Sequence, residues 1–240
     1  MGKEMEIKVI GVGGIGLHLL EPLARYVNFN VDMDGVDIHL IDGDVFEPRN
    51  QERQPFEAAS TGGNKAKVTA DRLRDSYRNI LFWAAEDYIT ADNVGFHVRE
   101  DNCVFLCVDN HATRKLIVER CQELENITLI SGGNDYEDGN VMVYLRRDGE
   151  DLTKPPTEVY TEIGEPEDEN PGDVDGDREG GCAEEAANNP QLIIANNMAA
   201  AIMLNAYYGL LHGDLGSGAY GDICFDVKTN ATRFNNRAKV

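Results

Sequence analysis

The chain has 240 residues, 42% hydrophobic and 27% charged, with a formal charge of −21 at neutral pH. That length and balance suit a folded protein with one large core, and so acidic a chain repels phosphate backbones, which excludes nucleic acid as an expected partner. The apolar runs fall short of the ~18 residues that a membrane span needs. The charged stretch from Met1 to Glu6 has no signal-peptide pattern, so a cytoplasmic protein is expected.

In chain order, Ile7 to Ile10 is a short apolar strand that runs at once into Gly11-Val12-Gly13-Gly14-Ile15-Gly16. Leu17 to Tyr26 follows as a helix, with Leu19, Leu20, Leu23 and Val27 at helical spacing. Val36 to Ile41 is a second strand, ended by Asp42-Gly43-Asp44. Lys65 to Tyr77 is a helix, and Ile80 to Ala84 a third strand. Cys103 to Val108 is a fourth strand followed by Asp109-Asn110; Thr113 to Leu124 is a helix and Ile127 to Ser131 the next strand. Asn140 to Arg146 alternates Val141, Val143 and Leu145 with other residues, which suits a sheet partly open to water.

From about 150 to 181 the sequence predicts a mobile acidic loop. Between Glu162 and Glu179, nine of eighteen residues are Asp or Glu and only Arg178 opposes them. Such a segment buries too little apolar surface to offset the entropy of ordering. Pro190 to Leu211 is a long helix, apolar nearly all round, which predicts burial in the core or at a subunit contact. Ile223 to Val227 and Thr232 to Phe234 form a terminal hairpin, with Asn230 a turn candidate. The alternation of strands and helices predicts an α/β fold: a doubly wound, mostly parallel Rossmann-like sheet with a C-terminal helix and hairpin, spanning 1–240 as a single domain.

The chemistry begins at the glycines. A strand, three glycines in GxGxxG spacing and a helix make a phosphate or dinucleotide site, because glycine permits close backbone approach and the helix N-terminus offers free N–H donors. Asp42, at the end of the second strand, can accept hydrogen bonds from ribose hydroxyls. A nicotinamide-dependent oxidoreductase would carry the same features. Of the five cysteines, Cys103, Cys107 and Cys121 read as core thiols. No CxxC pair is present, so no zinc is expected.

The residues beyond the second strand separate adenylation from hydride transfer. Asp42-Gly43-Asp44 leads into Asn50-Gln51-Glu52-Arg53-Gln54, then Gly62-Gly63-Asn64-Lys65, and later Asp109-Asn110 with Arg114 four residues after Asn110. GxGGxG, DxD with N-x-x-R-Q, G-x-x-K and a strand ending in D-N, in that order, resemble the E1-like (ThiF/MoeB/HesA) activating enzymes, here a compact bacterial or phage-type member. The resemblance implies ATP-dependent adenylation of the C-terminal carboxylate of a ubiquitin-like or sulfur-carrier protein or peptide, by a homodimer. Asn50, Arg53, Gln54, Lys65 and Asp109 match the family's nucleotide-site positions, with Gly11, Gly13, Gly14, Gly16, Asp42, Asp44 and Asn110 around them. Arg53 and Lys65 suit the phosphates, and Asp109 suits Mg²⁺. Cys182, in Gly180-Gly181-Cys182-Ala183-Glu184, resembles the cysteine that takes the activated acyl group in some members and is dispensable in others. A nucleotide-binding adaptor without turnover stays open beside these readings.

Overall fold

The computed structural model describes residues 5–30, 35–167, 170–171, 192–213 and 221–239. Its strands are β1 (Met5–Ile10), β2 (Val36–Ile41), β3 (Ile80–Ala85), β4 (Cys103–Leu106), β5 (Ile127–Asn134), β6 (Asp138–Arg147), β7 (Glu150–Asp151), β8 (Gly221–Asp226) and β9 (Ala231–Asn236). Its helices are α1 (Gly14–Asn30), α2 (Lys65–Ser76), α3 (Val94–His97), α4 (His111–Gln122), α5 (Pro156–Val159), α6 (Thr161–Gly164) and α7 (Ile193–His212).

The strands form one sheet in the order β3-β2-β1-β4-β5-β6-β8-β9, with β7 beside β6. The first five in that order are parallel, and β6, β8 and β9 continue antiparallel. Helices cover both faces. One core lies between the sheet and α1, α2 and α7, and a second between the sheet and α3 and α4. Leu19, Leu20 and Leu23, predicted inward, are all fully buried, and each such side chain contributes roughly 1.5–3 kcal/mol. The order of strands reverses between β1 and β4, so the chain leaves a crevice at their carboxyl ends, where α/β sheets of this kind hold ligands.

Several elements differ from the sequence reading for physical reasons. Helix α1 starts at Gly14, three residues before the apolar period becomes visible. Strands β5 and β6 run through Gly132, Gly133 and Gly139, residues that punctuate a sequence but here stay in the ladder. A side chain at 132 would strike Met203, with its Cβ 2.4 Å from Sδ. Strand β6 is not open to water: it lies between β5 and β8, and Val141 to Leu145 are buried on both faces. The stretch read as one loop from about 150 to 181 opens with β7, α5 and α6; its 172–181 portion, and Cys182, lie outside the described residues. In the terminal hairpin Asn230 takes φ of 53°, the left-handed conformation of a turn.

Candidate functional site

The glycine turn sits at the switch point. Gly11 has φ of +89°, and its N–H donates to the Ile41 carbonyl at 3.0 Å. A Cβ there would lie 2.8–2.9 Å from the backbone of Cys107 and Val108, so glycine lets β1 pass close against the end of β4. At Gly16 a Cβ would stand 2.1 Å from the Gly11 carbonyl oxygen, which fixes glycine where helix meets turn. Gly13 is different: the nearest atom to a Cβ there is Gln54 Nε2 at 3.9 Å. Open space at Gly13, beside the N-terminus of a 17-residue helix, is what an anion requires.

The end of β2 is wired to that turn. Asp42 accepts from Val12 N–H at 2.5 Å and from Asp44 N–H at 2.8 Å. Burial lifts its carboxyl to about 6, against the pull of Lys65 and of the two amide bonds and with the push of the Asp44 carboxylate. Asp44 in turn accepts from Lys65 Nζ at 2.7 Å and from the Tyr88 hydroxyl at 2.6 Å. Burial would raise the Asp44 carboxyl, yet Lys65 and Tyr88 outweigh it and hold the group below the usual range. Burial and the Asp44 carboxylate raise the Tyr88 hydroxyl. Lys65 is itself buried at the first turn of α2, which Asn64 caps by accepting from Lys67 N–H at 2.9 Å. The same Asn64 donates to the carbonyls of Asp42 and Asp44, at 2.8 and 3.0 Å, and so ties α2 to the end of β2.

The segment after β2 crosses back toward the turn. A 3-10 turn, Pro48–Glu52, leaves Asn50 buried with Oδ1 accepting from Glu47 N–H at 3.0 Å. Gln54 N–H donates to the Asn50 carbonyl at 2.9 Å, which brings the Gln54 amide over Gly13. His18 on α1 faces the Arg53 carbonyl at 3.3 Å, and burial lowers its pKa. On the other side of the crevice Asp109 is exposed on the bend after β4. Asn110, not Asp109, caps α4, accepting from Thr113 N–H at 2.6 Å, and its Nδ2 donates to the Asn170 carbonyl at 3.3 Å. That leaves the Asp109 carboxylate outside the cap. Magnesium commonly takes one or two carboxylates together with phosphate oxygens and water, a donor set that Asp109 fits. Arg114 is buried and fastens the floor of the crevice, donating to the Val108 carbonyl, to Gly132 O at 2.7 Å and to Ser131 Oγ at 2.8 Å.

The glycine turn, Asp42, Asp44, Lys65 and Gln54 are thus joined by contacts, with Asn50, Arg53, Asp109 and Asn110 on the segments that border them. Sequence reasoning passed over Asn64, Tyr88 and Asn196. Asn64 carried a signal, an N-cap residue before a helix. Asn196 carried a weaker one, an amide inside an apolar helix. Tyr88 lies 44 residues from its partner Asp44 and had none. Cys103, Cys107 and Cys121 are buried, and burial pushes each thiol up to about 12. Among the described residues no group of three or more His, Cys, Asp or Glu is placed to hold a metal, and no helix is long and apolar enough to cross a membrane.

The ThiF family model matches residues 3–210, so the chain belongs to the ThiF family. Solved structures share its fold. Against E. coli MccB with ATP the TM-score is 0.73 at 18% identity, over 99% of this chain and 65% of that one. Against the microcin C7 biosynthetic enzyme MccB in complex with N-formylated MccA it is 0.72 at 19% identity, over 98% and 65%. Against PaaA it is 0.70 at 18% identity, over 98% and 65%. This chain therefore spans about 65% of the length of the structures it matches. No curated protein matches it.

Proposed function

We propose that this ThiF-family chain binds ATP with Mg²⁺ and adenylates the C-terminal carboxylate of a ubiquitin-like or sulfur-carrier protein or of a peptide, acting over 1–240 as one adenylating unit and as a homodimer. The observation that carries the reading is the open Gly13 position at the head of α1, facing the Gln54 amide and linked through Val12 and Asp42 to the Lys65–Asp44 pair. The relatives solved with ATP and with MccA support a nucleotide and a peptide as the two substrates.

In the proposed reaction a carboxylate oxygen of the substrate attacks the α-phosphorus. The bond from that phosphorus to the α–β bridging oxygen breaks, and pyrophosphate leaves with the electron pair. The N–H groups at the start of α1 donate to phosphate oxygens. Arg53 offers a forked donor to the phosphates, and Lys65 a point charge that can turn from Asp44 to them. Asp42 orders the turn and orients the ribose. Asp109 would hold a divalent cation, which would neutralise charge on the phosphates and leaving group. Onward transfer of the acyl group to the Cys182 thiol, which forms a thioester and releases AMP as the acyl–oxygen bond breaks, is part of this reading and rests on the family likeness.

The test is ATP–pyrophosphate exchange by the purified chain with Mg²⁺ and a panel of small proteins and peptides ending in free Gly-Gly carboxylates. Exchange that depends on one panel member is expected, and Asp109→Ala should abolish it. Near-normal exchange in that variant would refute the metal role. ATP binding without exchange across the panel would favour the adaptor reading, and binding of NAD in place of ATP the oxidoreductase.

A further inference from the structure

Two buried carboxamides touch consecutive glycines of the turn, and each lacks hydrogen bonds that its chemistry requires. Gln54 places its Nε2 3.9 Å from a Cβ built on Gly13, and its Oε1 is buried without a partner. Asn196 on α7 is fully buried, and neither its Nδ2 nor its Oδ1 has a partner. A Cβ built on Gly14 would lie 2.4 Å from Asn196 Nδ2 and 2.8 Å from Oδ1, so the amide rests directly against the first residue of α1. The other buried residues of α7 are alanines, Met203, Tyr207 and Gly209. A carboxamide brings two donor hydrogens and two acceptor lone pairs. Leaving them unmet in a buried site is unfavourable, and an alanine there would remove the penalty.

Asn196 rests against Gly14, at the head of the helix to which the proposed reading gives the phosphates. Gly14 opens α1, and the leading N–H groups of a helix have no carbonyl within it to bond. We infer that Asn196 is a positioning residue for a nucleoside triphosphate: its carboxamide gains its hydrogen bonds from the glycine turn when phosphate draws the peptide groups of that turn into their ligand-bound arrangement. Helix α7 is thereby coupled to occupancy of the site. The inference rests on the nucleotide-binding reading proposed above and assigns to α7 a part in it.

The experiment uses the full chain with Asn196→Ala and the isosteric Asn196→Asp. Melting is followed with and without ATP, and calorimetry gives the affinities for ATP and adenosine. For Asn196→Ala the nucleotide-free melting temperature is expected to hold or rise, while the Kd for ATP weakens roughly 10-fold, as for the loss of one intramolecular hydrogen bond made only in the bound state. Adenosine, which has no phosphate, should bind as before. Asn196→Asp should weaken ATP further, since a carboxylate cannot donate and repels phosphate. Folded variants that bind ATP like the wild-type chain would overturn the inference and leave the nucleotide reading standing. Equal losses for ATP and adenosine would also overturn it. A wild-type chain that binds no ATP would overturn the nucleotide reading and this inference with it.

Discussion

Replacing Gly13 with alanine separates what the turn needs in order to fold from what it needs in order to hold phosphate. Gly11 combines φ of +89° with a Cβ position 2.8 Å from the Cys107 carbonyl group, and Gly16 faces the Gly11 carbonyl oxygen at 2.1 Å. Neither tolerates a methyl. Gly13 has no positive φ to strain it, and its nearest neighbour, Gln54 Nε2, stands at 3.9 Å, an ordinary van der Waals distance. Gly13→Ala should therefore leave the nucleotide-free protein as stable as before or more so by about 0.4–1 kcal/mol, because alanine restricts the unfolded chain. In the ligand-bound state the methyl fills space that a phosphate oxygen needs. Overpacking of that kind costs about 1–3 kcal/mol, or roughly 5- to 150-fold in Kd. Chemical denaturation of the nucleotide-free chain and calorimetric titration with ATP measure the two halves. A Gly13→Ala protein with wild-type stability and wild-type ATP affinity would show that phosphate does not sit on this turn, whatever the fold resembles. Gly16→Ala, run beside it, should fail to give folded protein.

Two further expectations concern the groups around the turn. The Asp42 carboxyl stands at about 6 when folded, above its ordinary value of 3.8, so the folded state holds that proton more tightly. Its contribution is fully present below about pH 4 and is lost as pH rises through 6. Over that window the wild-type chain should lose roughly 3 kcal/mol that Asp42→Asn does not lose, seen as a difference in denaturant midpoint against pH; parallel curves would refute the assignment. Arg114→Leu leaves the Val108 and Gly132 carbonyls and Ser131 without their charged donor. Unfolding free energy should fall by about 3 kcal/mol or more, and an unchanged midpoint would show that the clamp contributes nothing.

The parallel half of the sheet was legible because its strands are short apolar runs, most of them ended by Gly, Asp or Asn, and the long helices keep a 3.6-residue period. What escaped was set by contacts distant in sequence. The glycines of β5 and β6 read as breaks because their lack of a side chain is explained only by Met203, Arg114 and Phe225 filling the space around them. The start of α4 lies two residues earlier than the apolar pattern put it, where Asn110 caps the helix by accepting from Thr113 N–H. Tyr88 reaches Asp44 across the end of the sheet from a segment with no recognisable pattern. Local chemistry thus named the candidate residues, and long-range packing decided which of them are already engaged.

The pair Asp42 and Asp44 shows why that distinction matters for function. In sequence they are two equivalent acids after a strand. In the structure one holds the amides of Val12 and Asp44 itself, and the other is neutralised by Lys65 and bonded by Tyr88. Within a chain of charge −21, the crevice thus has two carboxylates against one buried lysine at this corner. Long-range electrostatics oppose a nucleoside triphosphate here. On the proposed reading, affinity must then come from donors that act at contact: the free N–H groups at the head of α1, the Gln54 amide, Arg53, and Lys65 once it turns from Asp44 toward phosphate. Contact donors of that kind discriminate by geometry, not by charge, which suits a site that must bind ATP tightly only when its phosphates lie along the glycine turn.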